Sequence, residues 1–164
     1  MDIFVTSGEG RGSTLLSAFD AALQDANVHN YNLIQLSSII PPNSRVKVQK
    51  FKENTDEYGH KLYVVKAEKR SREAGKYLGA AIGWYQYGDG RGVFVEHEEI
   101  GETKEAVESS LMDSVDKSII DLCKVRNVKF HKSKMRTKLS IVEVKDSAAS
   151  CSLVVAVYQA EGWK

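Results

Sequence analysis

The chain has 164 residues, 42% hydrophobic and 27% charged, with a formal net charge of +1. That length suits a single domain, residues 1–164, able to build its own core. The even charge balance leaves no general nucleic-acid footprint, and there is neither a basic-then-apolar leader nor an apolar run near the ~18 residues of a membrane helix, so a cytoplasmic chain without a membrane or nucleic-acid partner is expected.

Ile3-Phe4-Val5-Thr6 reads as a short strand. Ser7-Gly8-Glu9-Gly10-Arg11-Gly12 reads as a glycine-rich turn into a helix. It lacks the Lys-Ser/Thr ending of a phosphate loop. Ser13 or Thr14 can cap a helix running to about Asn27, with Leu15, Leu16, Phe19, Ala22, Leu23 and Ala26 on its apolar face. Asp20 lies at the edge of that face, where an acid is ordinarily a solvated flank. Tyr31 to Leu36 is a strand, and Ser37-Ser38 follows it. Two β-branched residues and Pro41-Pro42 then end any central-strand pattern.

Arg45 to Lys52 alternates Val46 and Val48 with basic residues as a half-exposed strand, and a polar loop covers Glu53 to His60. Lys61 to Glu68 is a strand and Lys69 to Lys76 a charged turn. Tyr77 to Tyr87 is a buried strand that Asp89-Gly90 turns back into Gly92 to Glu96. A long helix from Glu102 or Thr103 to about Lys124 carries the stripe Val107, Leu111, Val115, Ile119 and Leu122. Lys138 to Lys145 and Cys151 to Gln159 are closing strands, with Asp146 to Ser150 as a hairpin between them. Two helices and six or seven mostly hairpin-linked strands give an α+β domain. Cys123 and Cys151 lack metal spacing and read as buried free thiols. The basic cluster from Lys124 to Lys138 reads as a solvated helix end and loop, without the interleaved aromatics of an RNA platform.

A serine pair at a strand end is ordinarily a turn, because hydroxyls bond nearby backbone. The run Asn32-Leu-Ile-Gln-Leu-Ser37-Ser38-Ile39-Ile40-Pro41-Pro42, however, closely resembles the processing site of pyruvoyl-dependent arginine decarboxylases. The likeness extends upstream to Ser17-Ala-Phe-Asp20-Ala-Ala-Leu23 and downstream to Gly92-Val-Phe-Val-Glu96-His97-Glu98, in order from about Ile3 to Gly101. It implies a four-layer αββα sandwich with mostly antiparallel sheets.

The resemblance also implies a chemistry. Removing CO2 from an amino acid leaves a carbanion that needs an electron sink, usually PLP. Here the sink would be a covalently bound pyruvoyl group generated from Ser38, with no PLP and no metal, and L-arginine would reach it as a Schiff base and leave as agmatine and CO2. The chain would cut itself between Ser37 and Ser38, giving a β chain 1–37 and an α chain 38–164. Ser38 supplies the nucleophile. Asn32 matches the family's asparagine implicated in that step, and Glu96 matches its essential carboxylate, the proton donor to Cα. Asp20 would pair with the substrate guanidinium. Ser37, Leu16 and Ile39 would line the pocket. Family members assemble as trimers of αβ units, or multiples, with active sites between subunits. His97 alternates to the other face from Glu96 and reads as structural.

Two other readings stand beside this one. The chain can keep the fold uncut, as a structural or regulatory homologue. It can also decarboxylate another amino acid, such as ornithine or lysine, if His29 and Tyr31 approach the pocket.

Overall fold

Residues 1–163 are described by a computed structural model. In chain order its strands and helices are β1 Asp2–Gly12, α1 Leu15–Asp25, β2 Asn32–Gln35, β3 Ile39–Ile40, β4 Arg45–Val48, β5 Lys61–Ser71, β6 Tyr77–Tyr87, β7 Arg91–Gly101, α2 Lys104–Val125, β8 Arg136–Glu143 and β9 Ala149–Glu161. One sheet has the order β2-β5-β9-β1-β4 and the other β3-β7-β6-β8. Pairing is antiparallel except for β1 with β4 and β2 with β5.

Strand alternation sorts the side chains into layers. Along β9, Cys151, Leu153, Val155 and Val157 pack with Ala18, Ala22 and Leu23 of α1. Val154, Ala156 and Tyr158 point the other way and meet Ile82 and Phe94 of the facing sheet. On the far side of that sheet, Ala81, Tyr85, Val93 and Val95 pack under Val107, Leu111, Val115 and Ile119 of α2. The layers run α, β, β, α, with an apolar filling at each of the three boundaries.

Residues 7–12 are not the expected turn. They continue β1, pairing with β9 as far as Gly12 opposite Ala149. Gly8, Gly10 and Gly12 recur at the strand period on the face beneath α1. A Cβ at Gly10 would lie 2.1 Å from the Ala18 carbonyl oxygen, and one at Gly8 2.0 Å from that of Ala22. The glycines therefore serve close helix-on-strand approach rather than chain reversal. The alanines of α1 meet them, which is why the buried stripe of α1 is Ala18, Ala22, Leu23 and Ala26 while Leu15 and Leu16 stay exposed. Thr14 caps the helix by accepting the Ser17 N–H, and Ser17 Oγ accepts the Thr14 N–H in return. Gly10→Val should lower the unfolding free energy by about 3 kcal/mol or more, because helix backbone must move to admit the side chain. A denaturant titration with an unchanged midpoint would contradict this seating.

Other expectations shift for similarly local reasons. Among the described residues there are nine strands, not six or seven: all eight stretches read as strands are present, and Ile39–Ile40 adds a ninth in the other sheet. The stretch 69–76 is half strand, since β5 runs on to Ser71 against β9. β7 continues to Gly101 opposite Tyr77. The link from Asp146 to Ser150 is no hairpin: β8 pairs with β6 while β9 pairs with β1 and β5. The chain there passes from one sheet to the other, as it does between β5 and β6. The expected β6–β7 hairpin is present, with Tyr87 opposite Arg91 and Gly88 and Gly90 in positive φ.

Cys123 and Cys151 are buried free thiols. Burial, with some help from the Glu68 carboxylate, pushes Cys151 up to about 12. In the basic cluster, Lys124 pairs with Asp121 and Lys132 with Asp116, and Phe130 packs against Tyr85. No helix is long and apolar enough to cross a membrane among the described residues.

Candidate functional site

β2 is an edge strand of the five-stranded sheet and β3 an edge strand of the other. The serine pair is the bridge between them. On the upstream side the Leu36 N–H donates to the Val64 carbonyl at 2.8 Å, still within the first sheet. On the downstream side the Phe94 N–H donates to the Ser38 carbonyl at 2.8 Å, already within the second. Between these anchors Ser38 takes φ +68°, a left-handed conformation that costs a non-glycine residue roughly 1–2 kcal/mol. The sequence explains the change of sheet. Asn32 to Gln35 can pair with β5, Ile40 is fully buried between the sheets, and Pro41 ends β3 after two residues.

The Ser38 hydroxyl donates to Glu96 Oε1 at 2.5 Å. Both residues are half-buried, and Ser37 is exposed. Glu96 comes from β7 and projects on the face opposite to Val95. From the other sheet the Tyr158 hydroxyl donates to the Ile39 carbonyl at 2.9 Å. Burial, then the nearby Glu96 charge, holds that phenol above its usual range. Beside the pair lies an open recess of about 430 Å³, lined among others by Ser38, Glu96, His97, Ser118, Asp121 and Leu122. His97 Nε2 lies 2.9 Å from Ser118 Oγ of α2, so His97 faces the helix. A larger depression of about 660 Å³ beside Arg45, Trp84 and Arg136 shares no lining residue with this one.

The remaining sequence candidates lie elsewhere within one chain. Asp20 is exposed on α1, against the outer face of the five-stranded sheet. Leu16, one turn before it, is 70% exposed, so the two make an outward stripe. Asn32 is exposed, and its Nδ2 donates to the Gly59 carbonyl at 2.6 Å rather than toward the serines. Ile39 borders Ser38 and is 50% exposed. Tyr31 packs against Phe51 and donates to Glu57 at 2.8 Å.

Two contributors to the Ser38 environment went unread in the sequence: the Phe94 backbone and Tyr158. The first has no sequence signal. The second has one, a polar-tipped ring closing the apolar alternation of Val154 and Ala156. Chemically, the arrangement offers a strained, serine-flanked peptide, a hydroxyl and a carboxylate in contact, and an adjacent opening. A group made from Ser38 itself fits here, since the hydroxyl is already engaged and the preceding residue is exposed. No group of three or more His, Cys, Asp or Glu side chains is placed to hold a metal among the described residues.

Comparison with known proteins matches residues 2–161 to the family model described as pyruvoyl-dependent arginine decarboxylase. A pyruvoyl-dependent arginine decarboxylase of Halobacterium salinarum is 31% identical over 156 residues, 95% of this chain and 92% of that one. That of Thermoplasma volcanium is 36% identical over 110 residues, covering 66% of this chain and 60% of its own. One from Methanocella arvoryzae is 35% identical over 107 residues, 63% and 64% of the two chains.

Proposed function

The chain belongs to the pyruvoyl-dependent arginine decarboxylase family, a family of carboxy-lyases, and on that premise we propose that it is a self-cleaving proenzyme that converts L-arginine to agmatine and CO2. The observation that carries the site assignment is the left-handed Ser38 bridging two sheets with its hydroxyl 2.5 Å from Glu96.

That geometry supports self-cleavage. The Ser38 hydroxyl oxygen attacks the carbonyl carbon of Ser37, the peptide C–N bond breaks, and the freed nitrogen takes a proton. The result is an ester between Ser37 and the Ser38 side chain. Loss of the Ser38 Cα proton with cleavage of Cβ–Oγ releases Ser37 as a new carboxylate. The dehydroalanine left at the head of the 38–164 piece adds water and loses ammonia. Backbone held at a left-handed φ and anchored on both sides favours the first step, because relief of that strain accompanies bond breaking. Asn32 is the proposed donor to the oxyanion of that step. Its amide must first leave the Gly59 carbonyl that holds it in the uncut chain.

The pyruvoyl group so formed supplies a ketone beside an amide, the electron sink that decarboxylation requires. Glu96 contacts the residue that would bear this group, which supports its carboxyl as the group that returns a proton after CO2 leaves. Asp20 presents a carboxylate suited to a guanidinium, bidentate and planar. It lies on α1 while Ser38 and Glu96 lie at the opposite sheet's edge, which supports a pocket completed by a second copy, in a trimer or a multiple of one. The exposed Leu16 beside Asp20 and the exposed Ile39 beside Ser38 would then supply its apolar walls. Tyr31 is turned to Glu57, and Asp20 is the proposed specificity group for arginine.

The denatured mass of the purified protein, with and without a carbonyl-trapping reagent, tests this reading. Two pieces divided after Ser37, the larger one reactive at its N-terminus, are expected. A single unmodified chain would leave an uncut, non-catalytic homologue.

A further inference from the structure

Three groups just downstream of the Ser37–Ser38 bond are held by hydrogen bonds. Glu96 holds the Ser38 hydroxyl, Phe94 N–H the Ser38 carbonyl, and Tyr158 the Ile39 carbonyl. The third contact differs in kind. Glu96 and Phe94 belong to β7, in the same sheet as β3. Tyr158 belongs to β9, in the sheet that anchors the upstream side of the same bond through Leu36 and Val64. We infer that Tyr158 is a positioning residue: by tying Ile39 to the opposite sheet it fixes the span across which the Ser37–Ser38 peptide is stretched, and it keeps the head of the 38–164 piece in place once the peptide is gone.

The strand that carries Tyr158 is shaped for this. On β9, Val157 pairs with Val64 and Gln159 with Tyr63, so consecutive residues of β5 face positions two apart and Tyr158 is the extra residue of a β-bulge. A bulge re-aims a side chain and bends its strand. Here Tyr158 keeps the inter-sheet alternation of Val154 and Ala156, and the shift falls just after it: Ala160, which unbroken alternation would also turn inward, lies on the α1 side. The ring is fixed edge-on against Phe94, with centroids 6.1 Å apart and planes at 68°. Phe94 is the residue whose N–H holds Ser38, so the ring and the hydroxyl steady the same site.

The target needs such a tie. β3 has two ladder partners, Ile39 with Val93 and Ile40 with Gly92. A strand that short moves readily if one bond is lost. Before cleavage it is restrained covalently from upstream. After cleavage that restraint is gone, and Tyr158 remains as a link from the other sheet. The phenol is buried and held in its protonated, donating form, so the tie persists across the neutral range.

This inference rests on the reading that the Ser37–Ser38 bond is cleaved, and its test separates the two. The full chain and its Tyr158→Phe variant are purified at the earliest time after synthesis and incubated below their melting temperatures. Denatured mass then gives the cleaved fraction against time. On fully cleaved protein, kcat and KM for arginine are measured. Phe keeps the ring, so a packing role alone leaves both rates at the wild-type value. Positioning predicts a cleavage half-time longer by about tenfold and a kcat lower by about tenfold, with KM within about twofold, the effect of one lost hydrogen bond. Substitution by 4-aminophenylalanine, which returns a donor at the same place, should recover most of both. Equal rates for Tyr158→Phe and wild type, or no recovery with the amino analogue, would overturn the inference while the cleavage reading stands. A wild-type chain that stays whole would overturn both.

Discussion

Ser38→Ala should give a single intact chain, folded and without turnover. The substitution removes the proposed nucleophile and nothing that the fold depends on. Ile40 still seals the space between the sheets, and the Phe94 N–H still meets the carbonyl of residue 38. Alanine at φ +68° costs about as much as serine there, and the lost hydroxyl bond to Glu96 is half-exposed. The melting temperature should therefore change by no more than a few degrees. Denatured mass of the variant, beside wild type treated identically, checks the expectation, and agmatine release checks its consequence. Two pieces from Ser38→Ala would mean that cleavage is external proteolysis of an exposed bridge. Ser38→Thr makes a sharper comparison, because it keeps a hydroxyl but places a β-branched residue in a left-handed conformation. It should cleave, and more slowly than wild type.

The site residues were legible through the resemblance of Asn32 to Pro42 and of Gly92 to Glu98 to a family's motifs, since Ser38 lies between two strands and no hydrophobic period singles it out. The period-2 geometry of a strand places Glu96 and His97 on opposite faces, and the structure has His97 on α2 and Glu96 on Ser38. Pairing across 58 positions was beyond that pattern. It follows from β3 crossing to the second sheet, and two residues between a serine pair and a proline pair carry no period at all. The glycines at 8, 10 and 12 misled for a related reason. Glycine signals turns and close approach alike, and the distinction lies in the alanines of α1, Ala18 and Ala22, which the carbonyl distances beneath them reveal. The link between β8 and β9 was misread similarly, since a short polar connection joins two sheets as easily as two neighbouring strands. Tyr158 could be placed between the sheets from its alternation with Val154 and Ala156, but its bond to the Ile39 carbonyl spans 119 positions and has no sequence signal.

Asp20 illustrates a different limit. Helical spacing put Leu16 on the apolar face with Asp20 at its edge, whereas the structure turns both outward, and nothing in a single chain gives that stripe a partner. The chemistry proposed for it belongs to an assembly. The pair at Ser38 and Glu96 has no such dependence and makes the cleaner object for mutation.

Glu96→Gln should separate cleavage from turnover. The amide is nearly isosteric with the carboxyl, and its oxygen can still accept the Ser38 hydroxyl that now lies 2.5 Å from Glu96 Oε1. The bridge, its left-handed residue and the two backbone anchors are untouched, so the chain should still divide after Ser37. What the amide cannot do is give up a proton to a carbanion. Loss of a positioned general acid lowers a rate by roughly 10²–10⁴, and kcat for arginine should fall by that order while KM moves little, because the recognition proposed here is assigned to Asp20. CO2 release from the cleaved variant supplies the measurement. A rate near wild type would remove Glu96 from the proton-donor role. An uncut chain would move it to the earlier step, as the base that draws the proton from Ser38, a role its contact with that hydroxyl equally permits. The two variants together thus order the chemistry: one fixes which atom starts it, the other which step the carboxylate serves.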